Sequence, residues 1–549
     1  MKNSVSESAM FVESDEDMEK DQNKYENDGN DSDFSSDSIE NQSMRKPSSY
    51  SIAWPQSYRQ SIDLYGSVPS PNIGFLGTTS LSRLGSSFLS TSLTRRHTTQ
   101  EILPQEKKPL LKPTEEEQAQ QSLLPPLVSR KSSIRISKVS HEAHIPGQCT
   151  FGQAVLNGIN ALCGIGILST PYAAKEGGWI GLCILLLYAI FSFYTGLLLR
   201  YSLDSAPGLE TYPDIGQAAF GTTGRVIISI ILYMELYACC IEYIIVESDN
   251  LSTLFPNAHI SVGGIELNPH VLFAILTAVA LLPTVWLRDL RILSYISACG
   301  VIATILVVIC LFWVCLVDKA DIHTQGGTST LNLATFPVAL GLYGYCYAGH
   351  AVFPNLYTAM ANRNQFPAVL LVCFAICTTM YCAVAIMGYT AFGEATLSQY
   401  TLNMPQHLVA AKIAVWTTVV NPFTKYPSYV PTTYALSLSP VAMSLEELIP
   451  ASNPNFNIYS KLIRTALVAS TLIVGLSVPF FGLVMSLTGS LLTMFVSLIL
   501  PAACFLSIRG GRITRFQAAV CVTIIIVGAV SSGFGSYTSL KEIIEQLFG

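Results

Sequence analysis

No cysteine precedes position 149, although the chain of 549 residues contains 14. No two are spaced C-x-x-C, and nearly all fall in apolar runs. Neither a thiolate metal site nor a disulfide framework is supported, and the cysteines read as small buried core residues. Charge is also scarce: 12% of residues are Asp, Glu, Lys or Arg, against about 25% in a soluble globular protein. Catalytic strings are missing as well. There is no HExxH, and His141-Glu142-Ala143-His144 has the wrong spacing to set two imidazoles on one helical face. No P-loop appears, which argues against an ATP-driven pump. No basic stripe with interleaved aromatics appears, so no nucleic-acid partner is expected. These absences point away from an enzyme and from any cofactor or metal.

What remains is apolar sequence, unevenly placed. Half of the residues are hydrophobic. The first 148 are nonetheless polar, and long apolar runs begin only after Cys149. Residues 1–40 hold thirteen Asp/Glu against three Lys, a net of −10, so the rest of the chain carries about +4 of the total of −6. Residues 1–148 therefore read as a disordered tail, too poor in apolar side chains to offset the entropy of ordering. Residues 149–549 read as a polytopic membrane domain. Met1 leads into acidic, serine-rich sequence rather than a secretory signal, so the first span is expected to direct insertion.

Within the tail, Arg95-Arg96-His97-Thr98 and Arg130-Lys131-Ser132-Ser133 have the form of basic-directed phosphorylation sites. Glu106-Lys107-Lys108-Pro109-Leu110-Leu111 has the form of an acidic dileucine signal. Its Glu106, Leu110 and Leu111 would be read by a sorting adaptor.

A span needs about 20 apolar residues. Eleven segments qualify, near 149–174, 177–203, 224–252, 270–287, 291–317, 332–359, 366–391, 407–448, 459–479, 481–507 and 515–538. With the N-terminus in the cytosol, the cytosolic loops hold ten basic residues: Arg200, Arg225, Arg288, Arg291, Arg363, Lys461, Arg464, Arg509, Arg512 and Arg515. The opposite side holds three, Lys175, Lys319 and Lys541. Positive charge stays inside, and Arg130, Lys131, Arg135 and Lys138 before the first span agree. An odd count places the C-terminus in the lumen or outside. In this reading Glu446 and Glu447, at the cytosolic end of span eight, are partners for the arginines of the turn Arg288-Asp289-Leu290-Arg291.

Two spans carry the same interruption. Span one contains Cys163-Gly164-Ile165-Gly166-Ile167-Leu168-Ser169-Thr170-Pro171. Span six contains Gly344-Tyr345-Cys346-Tyr347-Ala348-Gly349-His350-Ala351-Val352-Phe353-Pro354. Gly166 precedes Pro171, and Gly349 precedes Pro354, by the same interval. Glycine weakens a helix and proline removes a backbone donor. A broken helix at membrane depth is tolerated only where protein or a cavity surrounds it. Paired breaks in matching positions are a pointer to a secondary transporter's substrate site. Amides freed at Gly164, Ile165 and Gly166 would face a carboxylate at a half-helix N-terminus. Carbonyls freed near Ala161 and Tyr347 would accept an ammonium group, or a cation. The constellation suits an α-amino acid, with Tyr345, Tyr347 and Gly349 beside its side chain. The plainer reading is close helix packing at glycine.

Span three carries Glu235, Glu242 and Asp249 at seven-residue intervals, on one helical face. An intramembrane carboxylate marks a pathway by default, so Glu235 and Glu242 are candidates for proton coupling, against a structural hydrogen bond as the plainer role. Glu247 and Asp249 are expected at the lumenal interface. His350, directly after Gly349, is a third proton candidate, with a neutral, carbonyl- or hydroxyl-bonded imidazole as the alternative. Asn250-Leu251-Ser252 is a glycosylation sequon too close to the membrane to be a good acceptor.

Assembled, these residues resemble the vacuolar amino acid transporter branch of the amino acid/auxin permease family. The likeness is carried by GINALCGIGILSTPYAAKEGGW (158–179), LYMELYACCIEYIIVESDNLSTLFP (232–256) and GLYGYCYAGHAVFPNLYTAM (341–360). VNPFTK (420–425) and LSPVAMSLEELIP (438–450) extend it. The resemblance implies an all-α fold of eleven transmembrane helices in a LeuT-like inverted repeat, spans 1–5 against 6–10, with helices 1 and 6 broken. It implies proton-coupled movement of neutral amino acids across a vacuolar or other acidic-organelle membrane. It also implies that backbone near Gly164–Gly166 and Tyr345–Gly349 holds substrate. Sodium as coupling ion, an amino-acid sensor on the same fold, and another small organic solute are the alternatives. One departure from the family pattern is Tyr426–Thr433, eight residues between NPFTK and YALSLSP that carry Pro427 and Pro431.

Overall fold

The computed structural model describes residues 149–262, 265–286, 293–317, 327–423, 433–450 and 454–549. The tail with Glu106, Leu110 and Leu111, the turn holding Arg288 and Arg291, Lys319, and residues 426–432 of the insert lie outside the described residues.

Helix α1, Phe151–Leu162, opens on a capping box. The Thr150 hydroxyl accepts from the Gln153 amide, and the Gln153 side chain accepts from the Thr150 amide at 2.9 Å. The chain leaves the helix at Cys163 (φ −85°, ψ 67°) and runs extended through Gly164. A tight 3-10 turn, Ile165–Ser169, then leads into α2, Thr170–Leu203. Pro171 sits in the first turn of α2, where its missing amide costs nothing. Helix α2 is two helices joined at Gly178, whose φ is +67°. There the Trp179 and Ile180 amides bond to the carbonyls of Ser329 and Thr330 at 3.2 and 3.1 Å.

Helix α3, Tyr212–Leu254, also starts on a capping box, from Thr211 and Asp214. Asp214 then pairs with Arg225 at 2.9 Å. A short hairpin of β1, Ile260–Val262, and β2, Ile265–Leu267, precedes α4, Pro269–Trp286, and α5, Leu293–Leu316. Next come α6, Phe336–Tyr345, α7, Phe353–Ala359, α8, Phe366–Phe392, α9, Val409–Phe423, and α10, Thr433–Glu446. Helices α11, Phe456–Ser477, and α12, Phe481–Thr488, follow. Two widened turns with five-residue hydrogen bonds, Gly489–Thr493 and Phe495–Ile499, continue α12 into α13, Leu500–Arg509. Helix α14, Arg515–Phe548, closes the order.

Seven helical stretches among the described residues are long and apolar enough to cross a membrane: Ile165–Leu203, Tyr212–Leu254, Pro269–Trp286, Arg363–Ala395, Phe456–Ser477, Phe481–Arg509 and Arg515–Phe548. Three of the other four expected spans fall on shorter pieces. The segment 149–174 divides after Leu162, 332–359 divides between Tyr345 and Phe353, and 407–448 has α9 ending at Phe423 and α10 beginning at Thr433. The expected span 291–317 begins outside the described residues.

The surface has the polarity of a protein solvated by lipid. Ile190, Ile302, Ile473 and Phe534 each expose more than half of their surface, while Ser192, Ser229, Glu242 and Thr471 are buried. Polar groups turned inward and apolar groups outward is the arrangement hydrocarbon demands. Helix α6 is seated at backbone contact. A Cβ at Gly489 would stand 2.1 Å from the Gly341 carbonyl oxygen, and one at Gly341 would stand 2.1 Å from that of Ser486. Small residues let membrane helices approach this closely.

Candidate substrate site

Helix α6 ends at Tyr345, and non-helical backbone runs from Cys346 to Val352 before α7. This interruption touches the one after α1. A Cβ at Gly166 would stand 3.1 Å from the Tyr345 ring and 3.7 Å from the Cys346 Cα, and one at Gly349 would stand 2.9 Å from the Leu162 side chain. The outer ends are tied as well: the Cys149 amide donates to the Ala359 carbonyl at 3.1 Å, and the Ala361 amide donates to the Cys149 carbonyl at 3.0 Å.

Gly164 is exposed, with open space where a side chain would be. Its amide is taken by the Leu162 carbonyl at 3.1 Å. The amides of Ile165 and Gly166 start the 3-10 turn, where no intrahelical acceptor precedes them. Ala161 is half-buried in the last turn of α1, and the next carbonyl, Leu162, accepts from the Tyr381 hydroxyl.

On the opposite break, the Tyr347 carbonyl accepts from the Gly349 amide at 2.8 Å and from the Ser497 hydroxyl at 3.2 Å. Both of its lone pairs are in use, and the His350 ring lies beside the same carbonyl. The Tyr347 ring is buried, stacked on Phe374 at 5.8 Å, and its hydroxyl meets Thr378 at 3.0 Å. Tyr345 is the residue turned toward the first break, and its hydroxyl points to the Cys239 sulfur at 3.7 Å on α3.

The acidic face of α3 lies behind Tyr345. Glu235 accepts from the Thr493 hydroxyl at 2.8 Å. Glu242 is fully buried, facing the side chains of Tyr345 and Thr488, with neither carboxylate oxygen in a hydrogen bond of ordinary geometry. Glu247 departs from expectation. It is fully buried, with both oxygens unpaired among the described residues, rather than at the interface. It sits two residues before Asp249, hence across the helix from the Glu235–Glu242–Asp249 stripe. Asp249 is partly exposed, meeting His270 at 3.1 Å and Gln399 at 2.8 Å. Asn250 is buried and donates to Gln399 at 2.6 Å, which withholds the sequon from a transferase in the folded state. The His350 Nε2 lies 3.0 Å from both the Ser192 carbonyl and the Thr195 hydroxyl.

A model of the family described as "transmembrane amino acid transporter protein" matches residues 147–541. The chain belongs to that family. It is 63% identical to the Arabidopsis thaliana amino acid transporter AVT1C over 556 residues, covering 99% of each chain. It is 59% identical to AVT1B of the same plant, over the full length of both. These relatives are named as transporters and not as enzymes. A solved sodium-coupled sialic acid symporter is 14% identical, with a TM-score of 0.39, covering 71% of this chain and 91% of that one; at that level it bears on neither fold nor substrate.

The family's glycines and acids were visible in the sequence, whereas their partners were not. Thr493, Ser497 and Tyr381 reach the breaks and the acidic face from other helices. Thr493 and Ser497 stand four apart in an otherwise apolar run, the one local sign that they share a face. Glu446 pairs with Arg464, buried on α11, at 2.7 Å; the loop arginines Arg288 and Arg291 lie outside the described residues.

Proposed function

We propose that the chain is a secondary active transporter that moves neutral α-amino acids across an organelle membrane, most simply the vacuolar membrane, coupled to protons by alternating access. The contact between the two breaks carries this reading. An amino acid seated there meets the Ile165 and Gly166 amides through its carboxylate. It meets carbonyls near Ala161 and Tyr347 through its ammonium, and Tyr345 and Gly349 flank its side chain. Among the described residues no charged side chain joins the cradle, which favours a zwitterion without net charge. Glu242 stands behind Tyr345 and Glu235 behind Thr493, so the proton-carrying acids border the site without lying in it. His350, held by a carbonyl and a hydroxyl, is the lesser proton candidate.

The wider frame of this proposal has eleven spans in a LeuT-like inverted repeat, broken at one and six. The N-terminus is cytosolic, the C-terminus lumenal, and residues 1–148 form a tail whose Glu106, Leu110 and Leu111 engage a sorting adaptor. The test is uptake by the purified full chain in liposomes, with imposed pH or sodium gradients and a panel of amino acids. Concentrative uptake of neutral amino acids driven by the pH gradient is expected. Uptake driven by sodium alone would remove the proton part, and uptake driven by neither would remove the proposal.

A further inference from the structure

The widened turns after α12 touch both functional regions at once. At Gly489–Thr493 the Met494 amide bonds to the Gly489 carbonyl five residues back, and at Phe495–Ile499 the Leu500 amide bonds to that of Phe495. Such turns are rare, and they persist where surrounding contacts hold them. Here the holding contacts are specific. Gly489 presses on Gly341, and the Met494 side chain fills the space beside Gly344. Thr493 donates to Glu235 at 2.8 Å, and Ser497, four residues on, donates to the Tyr347 carbonyl at 3.2 Å.

We propose that this widened segment couples the proton site to the substrate site, with Thr493 as the positioning residue for Glu235 and Ser497 as a stand-in for the substrate's ammonium at Tyr347. The inference rests on the transporter reading above. The Tyr347 carbonyl has two lone pairs, both occupied, so a third donor must displace one. The Gly349 amide is fixed by the chain, whereas the Ser497 hydroxyl can rotate away. An arriving ammonium therefore evicts Ser497.

At the other end, an ionised Glu235 holds Thr493 by a charge-assisted bond, and a neutral one holds it about half as strongly. Each event loosens one of two side-chain ties on the same widened segment, so each lowers the cost of the other. Linkage requires the effect to be reciprocal. The titratable groups near Glu235 are Cys239 and Glu242 on its own helix; the contact it receives from another helix, among the described residues, is the Thr493 hydroxyl. Tyr345 of α6 reaches Cys239 and Glu242 rather than Glu235.

The test uses the full chain in liposomes, measuring KM and the pH profile of uptake for the wild type, Ser497→Ala, Thr493→Val, the double variant and the conservative pair Ser497→Thr and Thr493→Ser. Ser497→Ala is expected to lower KM several-fold and to flatten its dependence on pH, with Ser497→Thr restoring that dependence. Thr493→Val is expected to move the pH midpoint by about one unit, with Thr493→Ser restoring it. The double variant should depart from the sum of the singles. Additive effects, or a KM whose pH dependence survives Ser497→Ala, would overturn the inference. Glu235→Gln separates the two levels. If it abolishes pH dependence while the hydroxyl variants leave coupling intact, the coupling segment alone is wrong. If the pH profile survives Glu235→Gln, the role of Glu235 and this inference fall together.

Discussion

A methyl group added at Gly341 and one added at Gly164 meet opposite surroundings. At Gly341 it lands 2.1 Å from the Ser486 carbonyl oxygen, a backbone atom that cannot swing aside. Gly341→Ala should therefore cost about 3 kcal/mol or more, read as a large fall in Tm of the protein in detergent. At Gly164 nothing lies within 4 Å and φ is −86°, so alanine fits without strain. Gly164→Ala should keep the wild-type Tm and raise KM several-fold, because the methyl enters the cradle. An unchanged KM would remove Gly164 from the site. Gly164 and Gly166 are marked in the sequence by the proline that follows, Pro171. Gly341 has no such flag, since its constraint comes from a helix about 150 residues away and no local pattern encodes that approach.

At the scale of elements, one buried ion pair clasps three helices. Arg464 on α11 donates to Glu446 on α10 at 2.7 Å and to the Val285 carbonyl on α4 at 2.7 Å, and Ser460 adds a third bond to Glu446. Removing one partner leaves a buried charge alone, at a cost of about 3–5 kcal/mol. Glu446→Ala should lower Tm sharply and Glu446→Gln less, since an amide still accepts from the guanidinium. Equal and small shifts for both would mean that the pair contributes little. The basic end was plain from the sequence, and so was the acidic end of the eighth segment. The pairing was not, because which turn of α11 faces α10 depends on helix packing. The same limit applies to Glu247: seven-residue spacing isolated a stripe of acids on α3, while burial of the opposite face depends on neighbours the spacing does not name.

For the whole molecule, the family match begins at residue 147 and the described structure at 149, the point where composition turns from polar to apolar. A chain lacking residues 1–146 should transport at a rate within about twofold of the full chain in liposomes, since the family match begins at residue 147 and both breaks lie within it. A large loss would assign the tail a part in transport itself. In cells, Glu106→Ala with Leu110→Ala and Leu111→Ala should leave transport by the purified protein unchanged and redistribute the protein among membranes, as seen by fluorescence imaging.

Helix α14 has 34 residues and rises about 51 Å at 1.5 Å per residue, some 20 Å more than the hydrocarbon core of a bilayer. That surplus stays packed on the bundle as far as Ser539, which meets Ser486 at 2.8 Å, and Ile543, and the exposed last turn projects beyond it. A helical reporter fused in register would hold a fixed bearing relative to the bundle. That gives single-particle imaging a built-in landmark, and a paired dye on another helix a ruler against which motion during uptake can be timed.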